Sequence, residues 1–266
     1  LQLERCACST DDVSVLLTYP DGLWLDGAQA VMPYLTPAAK LGAKSLLVLP
    51  IIWQDAVVGA VVLGFATSAM LTDDERARAR TLGDRVGVAF ATAAKDEQLY
   101  YQANYDALTA LPNRLYFKDQ LARRYAQAQR EPQPFALLFI DLDNFKSVND
   151  SLGHAAGDEV LRQTAERLKQ CVRETDTVTR LGGDEFTIIL AHLRAVRDPE
   201  SVAEHVLRSL AAPFMIAGNE HSLSASIGIA LYPEDGKSAD ELLRNADTAM
   251  YRAKEGGRGR FVYFEE

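Results

Sequence analysis

The stretch FALLFIDLD, residues 135–143, constrains the fold of this 266-residue chain more than any other. Its first six residues are all apolar, so both faces of a strand built from them would be buried. Such a strand lies at the centre of a sheet that is covered on both sides. Asp141 and Asp143 end the strand on one shared face, because side chains alternate. Ligand sites often lie at this end of sheet strands, although paired aspartates also suit a turn or a helix cap.

A second stretch, RLGGDEF, predicts a hairpin. β-Prone segments flank it, and Gly182-Gly183 suits a type I′ turn, in which both central residues need positive φ. The glycines would also leave room for a phosphate beside the backbone. Asp184 and Glu185 are expected to point to opposite faces of the following strand. Only one of them can then join Asp141 around a hard cation such as Mg²⁺, and strand parity does not decide which.

Polar side chains that suit a nucleotide lie between these two stretches, in NFKSVND and GHAAGDEVL. Lys146 follows Asp141 by five residues and can reach a phosphate. Asn149 and Asp158 can hydrogen-bond the edge of a purine, with the aspartate accepting from two N–H donors. His154 has no second histidine or cysteine at ligand spacing, so the sequence predicts a loop or packing role for it.

The stretch AKEGGRGR near the end of the chain closes a predicted helix. A lysine near a helix C-terminus complements the helix dipole, and glycines end helices, which explains the pattern without a ligand. Lys254 and Arg258 can equally form a pair of phosphate clamps. Both interpretations stay open on the residues alone.

Composition places the chain among soluble, cored proteins, with 48% hydrophobic and 24% charged residues. A net charge of −9 argues against binding to long nucleic acid, which needs a basic surface. Cys6, Cys8 and Cys171 form neither a disulfide framework nor a zinc site, so reduced thiols in the cytoplasm are expected. No apolar run reaches the ~20 residues of a membrane span. The first residues, LQLERCACST, contain neither Met nor a signal peptide, so the sequence is expected to be part of a longer protein.

The N-terminal residues predict a small α+β unit and a long helix. Residues 46–65 predict two antiparallel strands around Gln54-Asp55, residues 11–19 another strand, and residues 33–40 a short helix. A long helix is predicted over residues 73–103, after an N-cap and three acids. Apolar residues recur on it at steps of four and three with Asp96 at one seam position: Leu82, Val86, Ala89, Ala93, Tyr100 and Ala103. This seam suits either a dimer-forming signalling helix or packing on the helix's own domain.

The residues after Pro112 predict helices that alternate with hairpins, an α+β or α/β sheet domain. Helices are predicted over residues 115–129, 157–171, 201–210 and 239–254. Strands are predicted over residues 135–142 and 261–264, with hairpins around Gly182-Gly183 and over residues 214–231.

Six motifs in this part of the chain resemble, in order and at family spacing, those of the GGDEF family of diguanylate cyclases: DALTALPNR, LLFIDLDNFKSVND, GHAAGDEVL, RLGGDEF, SIGIA and ADTAMYRAKEGGRGR. The resemblance implies a palm-like domain related to nucleotidyl cyclases, with a central, mostly antiparallel sheet flanked by helices. The resemblance runs over about residues 104–264, and the domain is expected to span residues 104–266. The preceding strand-turn-strand-helix region resembles part of a GAF sensor domain over residues 1–72, joined by a connecting helix over residues 73–103.

The resemblance implies that two such domains, each with one GTP, form a homodimer that makes cyclic di-GMP and two pyrophosphates. Mg²⁺, or Mn²⁺, would be held by Asp141, the carbonyl of Leu142, and Asp184, which would also act as base. The resemblance assigns no role to Glu185.

Substrate recognition is also implied by the resemblance. Asn149 and Asp158 match the guanine-recognition pair, and Lys146, Lys254 and Arg258 match phosphate-binding positions. Phe145 falls among the substrate-binding positions.

Arg173 and Asp176 form an R-x-x-D nine residues before Gly182, the offset of the family's product-inhibition site. An arginine can clamp a phosphate and stack on guanine, which suits cyclic di-GMP. The alternative is a surface salt bridge between Arg173 and Asp176.

Two alternatives remain for the function of the whole chain. One is a non-catalytic receptor that binds GTP or cyclic di-GMP and signals to a further C-terminal module. The other places the function in the N-terminal half, with the cyclase domain as a dimer scaffold.

Overall fold

The computed structural model describes residues 15–19, 22–26, 43–53, 56–67, 72–131, 133–191, 193, 198–216 and 218–265. The chain divides into two compact units, Leu1–Leu99 and Tyr100–Glu266. Cys6, Cys8 and the helix predicted over residues 33–40 lie outside the described residues. Within them, no helix is both long and apolar enough to cross a membrane.

The first unit contains an antiparallel sheet in the order β1 (Leu23–Asp26), β2 (Ser45–Trp53) and β3 (Ala56–Phe65). The two strands predicted over residues 46–65 are therefore confirmed. The strand predicted over residues 11–19 is wrong in its described part, where Val15–Thr18 forms a 3₁₀ helix. Its backbone bonds are local, from the Tyr19 N–H to the Leu16 carbonyl, and the fully buried Leu16 side chain packs on the sheet.

The long helix α1 (Asp73–Asn104) begins at a capping box. Glu75 accepts hydrogen bonds from the Thr72 N–H and hydroxyl, both at 2.8 Å, and the Glu75 N–H donates back to that hydroxyl. The helix buries Ala79 and Gly83. The seam residues Leu82 and Val86 stay 48% and 37% exposed, so packing against the described residues of this unit does not explain the seam.

The second unit follows the predicted alternation of helices and strands. Its elements are α2 (Arg114–Arg130), β4 (Phe135–Asp143), α3 (Phe145–Leu152), α4 (His154–Gln170), β5 (Thr177–Gly182), β6 (Glu185–Leu190), α5 (Asp198–Ala211), β7 (Phe214–Ile216), β8 (Asn219–His221), β9 (Ser224–Tyr232), α6 (Ala239–Glu255) and β10 (Phe261–Tyr263).

The five-stranded sheet has the order β10-β9-β4-β6-β5, and only the β9–β10 pair is parallel. The mostly antiparallel sheet is thus confirmed. All nine residues of β4 are buried. Leu138 packs in a cluster with residues of α4 and α5, and Leu137 packs in a second cluster with residues of α2 and α6. Helices therefore cover both faces of the central strand, as its apolar run predicts.

Close approach between α6 and β9 depends on Gly228. A Cβ atom there would lie 2.0 Å from the Ala246 carbonyl oxygen and 2.2 Å from the Met250 nitrogen. No side chain fits between these backbones, so the glycine sets how α6, and with it Lys254, lies on the sheet.

Two predictions differ from the structure. The helix predicted over residues 157–171 begins three residues earlier, at His154, as α4. A separate short helix, α3, precedes it, and Gly153, at φ 85°, joins the two helices. The hairpin predicted over residues 214–231 is smaller, since β7 and β8 pair only with each other and β9 joins the main sheet.

Candidate active site at the carboxyl end of the central strand

The end of β4 carries two carboxylates that face different partners. Asp141 lies close enough to Asp184 for their charges to repel, and the Leu142 N–H donates to the Asp184 carbonyl at 3.3 Å. Asp143 is instead held by the hydroxyls of Ser224 and Ser226, at 2.6 and 2.7 Å. Asp141 therefore belongs to the candidate site, whereas Asp143 is a structural anchor.

Lys254 lies against Asp141, with Nζ 2.8 Å from Oδ1. Burial raises the pKa of Asp141 from 3.8 to about 6, against the lowering effect of the Lys254 hydrogen bond, and repulsion from Asp184 adds to the rise. The carboxylate is thus costly to keep charged even with Lys254 beside it.

The hairpin turn is one residue later than predicted. Gly182 pairs with Glu185, which leaves Gly183 and Asp184 as the two loop residues. Gly182 and Gly183 have φ of 147° and 53°, but Asp184 is not among the described residues with positive φ, so the turn is not type I′. A register shift between Arg180 and Gly182 causes the offset. The space beside both glycines is open.

Two arginines hold this hairpin to the DALTALPNR segment. Arg180 donates to the Gly183 carbonyl through Nε and NH2, at 3.0 and 2.8 Å, and to Asp106 at 2.8 Å. Burial alone would raise the pKa of Asp106, but hydrogen bonds from Thr109 and Arg180 outweigh it and hold the pKa below its usual value. Arg180 of β5 therefore ties the turn that carries Asp184 to Asp106, which lies outside the sheet.

Arg114 is the second of these arginines and gives Glu185 a partner. Its Nε donates to the Leu181 carbonyl at 3.2 Å, and its NH2 lies 3.3 Å from a Glu185 oxygen. Sequence reasoning missed both arginines as site residues, although Arg114 and Asp106 lie in a motif that it had singled out.

The predicted guanine pair lies where α3 meets α4. A Cβ atom on Gly157 would come 1.9 Å from Asn149 Oδ1 and 3.2 Å from Phe145 Cζ, so the Asn149 amide rests directly on this glycine. Asp158 is the next residue and is partly exposed, whereas Phe145 is 8% exposed and packs in the core. The structure thus brings the Asn149 side chain close to the start of α4.

The other two side chains predicted to bind phosphate, Lys146 and Arg258, are exposed. Lys146 lies on α3, and Arg258 lies in the loop after α6, where it has a φ of 61°. That loop is anchored by the Gly259 N–H, which donates to Asp143 Oδ2 at 3.1 Å.

Asp176 of the predicted R-x-x-D site has a structural role. Its two carboxylate oxygens accept from the backbone N–H groups of Arg173, at 3.0 Å, and Ala191, at 3.1 Å. A carboxylate has about four lone-pair sites, so these bonds leave capacity for a ligand. Arg173 is exposed.

The carboxylates fit a divalent ion that arrives with a nucleotide. Among the described residues, no three His, Cys, Asp or Glu side chains are grouped to hold a metal alone. Mg²⁺ needs only one or two protein carboxylates when phosphates and water supply its other ligands. Asp141 and Asp184 meet that requirement.

Comparison with known proteins shows which protein family the chain belongs to. The family model for the diguanylate cyclase GGDEF domain matches residues 103–260, and the GAF domain model matches residues 5–90. The chain belongs to the GGDEF family and carries a GAF domain at its N-terminal side. This confirms the resemblance of both parts.

Individual relatives agree with this assignment. The bifunctional diguanylate cyclase/cyclic di-GMP phosphodiesterase MucR of Pseudomonas aeruginosa is 42% identical over 80% of this chain and 31% of its own length. Diguanylate cyclase TpbB of the same species is 46% identical over 62% of this chain and 38% of its own length. The chain thus spans about a third of the length of these relatives.

Solved structures of two GGDEF proteins are similar to the chain. The TpbB GGDEF domain has a TM-score of 0.59 at 46% identity, covering 60% of this chain and 94% of that one. The coiled coil and GGDEF domain of DgcB from Caulobacter crescentus, in complex with c-di-GMP, has a TM-score of 0.62 at 28% identity, covering 69% and 97%.

Proposed function

We propose that this chain is a diguanylate cyclase that condenses two GTP molecules into cyclic di-GMP and two pyrophosphates. The observation that carries the proposal is the buried Asp141, which lies beside Asp184 and against Lys254 at the end of the central strand. Two acids and an ammonium group suit a nucleotide triphosphate with its divalent ion.

The proposed roles of the side chains are those that the resemblance to the family implies. Asn149 and Asp158 would read the guanine, while Lys146, Lys254 and Arg258 would bind the phosphates. In each step the 3′-oxygen of one GTP bonds to the α-phosphorus of the other, and pyrophosphate leaves. Asp184 would take the proton of the attacking hydroxyl.

Asp141, the Leu142 carbonyl and Asp184 would hold Mg²⁺ or Mn²⁺. The ion would supply positive charge that offsets the charge developing on the phosphates. The chain's own work is then to position the nucleotide, because phosphoryl transfer requires little covalent chemistry from side chains.

A homodimer is part of the proposal, because each subunit would bind one GTP and the reaction joins two. Holding both nucleotides in line supplies the proximity that the reaction needs. The exposed seam at Leu82 and Val86 supports helix pairing between subunits.

Two regulatory elements belong to the same proposal. Cyclic di-GMP would inhibit by binding Arg173 and Asp176, with the exposed guanidinium clamping a phosphate. The GAF domain would regulate the cyclase through α1. A cytoplasmic location remains a prediction.

The decisive test incubates the purified chain with GTP and Mg²⁺ and measures cyclic di-GMP. Asp184→Ala should abolish product, while Asp119→Ala, at an exposed acid of α2 that pairs with Arg123, should retain turnover. Nucleotide binding without turnover in a sample proven dimeric and free of bound product would instead favour the receptor function.

A further inference from the structure

Lys254 and Asp141 form a partly buried ion pair between the last turn of α6 and the end of β4. Nζ lies 2.8 Å from Oδ1, and the side chains are 28% and 10% exposed. Lys254 is thus in contact with one of the two carboxylates assigned to the divalent ion.

An ammonium and a divalent ion cannot share this carboxylate without cost. Both are cations, and like charges a few ångströms apart repel strongly where burial lowers the effective dielectric constant. Asp184 adds a second negative charge near Asp141, so the ammonium also offsets repulsion between the two acids. An arriving metal ion therefore binds Asp141 more favourably once Lys254 has moved away from it.

Lys254 is able to make that move. It has four rotatable bonds, its side chain keeps contact with solvent, and its ammonium is a compact point charge that can pair with any nearby anion. The triphosphate of GTP would provide the alternative partner and free the Asp141 oxygen.

We infer that Lys254 is a resident counter-cation that keeps divalent ions off Asp141 until a nucleotide triphosphate draws it away. This inference rests on the proposed function and deepens it: Lys254 would couple metal binding to nucleotide binding as well as hold phosphate. Such coupling is reciprocal, so the metal would tighten nucleotide binding by the same factor.

A purely structural ion pair makes a different prediction. Lys169 forms one with Glu166 at 3.1 Å on the exposed side of α4, with side chains 42% and 65% exposed. Removing either lysine changes the net charge by one, but only Lys254 contacts a proposed metal ligand. Lys169→Met is therefore the matched control for Lys254→Met.

The test measures Mn²⁺ binding to the full chain by electron paramagnetic resonance, with and without the α,β-methylene analogue of GTP. In the absence of nucleotide, Lys254→Met should tighten Mn²⁺ binding at least about tenfold relative to Lys169→Met. Adding Asp184→Asn should weaken it again. The tightening of Mn²⁺ by the analogue should be smaller in Lys254→Met than in wild type.

Equal Mn²⁺ affinities in Lys254→Met and Lys169→Met would overturn the inference, as would no Mn²⁺ binding to either. Thermal melting shows whether Lys254→Met is folded. If it is not, Lys254→Gln replaces it in the comparison with Lys169→Met. Cyclic di-GMP production by wild type is measured in parallel. If wild type makes cyclic di-GMP but the two lysine variants bind Mn²⁺ equally, only the inference about Lys254 is overturned. If dimeric wild type makes no cyclic di-GMP, the proposed function is overturned.

Discussion

The contact between Asn149 and Gly157 yields a prediction that separates substrate recognition from folding. Gly157→Ala places a methyl group 1.9 Å from Asn149 Oδ1. Ordinary contact needs more than 3 Å, so the amide must retreat by roughly 1.5 Å. Helix propensity favours alanine over glycine by up to ~1 kcal/mol, and the obstructing atom ends a flexible side chain. The protein should therefore fold with little change in stability.

Nucleotide binding should suffer instead. A displaced Asn149 leaves one or two guanine hydrogen bonds poorly made, which costs about 1.5–3 kcal/mol, or roughly 10- to 150-fold in affinity. Calorimetric titration with the α,β-methylene analogues of GTP and ATP should show weaker binding of the guanine compound. Preference for guanine over adenine should fall by a similar factor.

A double-mutant cycle provides the refutation. In an Asn149→Ala background the amide is absent, so Gly157→Ala should cost little further affinity. If Gly157→Ala weakens binding equally in both backgrounds, or leaves the wild-type affinity unchanged, then Asn149 does not read guanine from its place on Gly157.

Three further predictions concern the same domain. In metal-free protein, the raised pKa of Asp141 makes folding less favourable as pH rises from 3.8 through about 6. Asp141→Asn should therefore stabilise the folded protein by up to roughly 3 kcal/mol at pH 7.5 but by little near pH 4. Urea unfolding at both pH values measures the difference. Gly228→Ala should destabilise by at least about 3 kcal/mol, because the added atom meets helix backbone; an unchanged urea midpoint would contradict this. Arg114→Gln should lower turnover while costing under ~1 kcal/mol of stability, because its pair with Glu185 is half-exposed. Additive kinetic effects of Arg114→Gln and Glu185→Gln would argue that the pair does not position the hairpin.

Sequence reasoning predicted the parts of the fold that repeat a local pattern. The continuous apolar run of β4 defined the central strand and its two covered faces, and the cap at Thr72 located the start of α1. Local patterns failed where the backbone departs from them. Helix α3 has only eight residues, and its N-cap, Asn144, is left-handed without a side-chain cap bond. The register shift before Gly182 moved the turn by one residue.

The sequence indicated residues for the candidate site but not the contacts between them. Asp141, Asp184 and Lys254 were singled out from composition and motif, yet the ion pair joins residues 113 positions apart and has no local signal. The bond from Arg180 to Asp106 spans 74 positions. Such contacts depend on the sheet order, which side-chain periodicity does not encode.

The bond from the Gly259 N–H to Asp143 also has a consequence for synthesis of the protein on the ribosome. It joins residues 116 positions apart and fixes the loop that carries Arg258. Chains fold as they emerge, but such a long-range contact can form only after the second segment has left the exit tunnel. The central strand is synthesised before α6, so Asp141 can form its ion pair with Lys254 only after residue 254 has emerged. In a nascent domain the loop that carries Arg258 is therefore unanchored until Gly259 has left the exit tunnel.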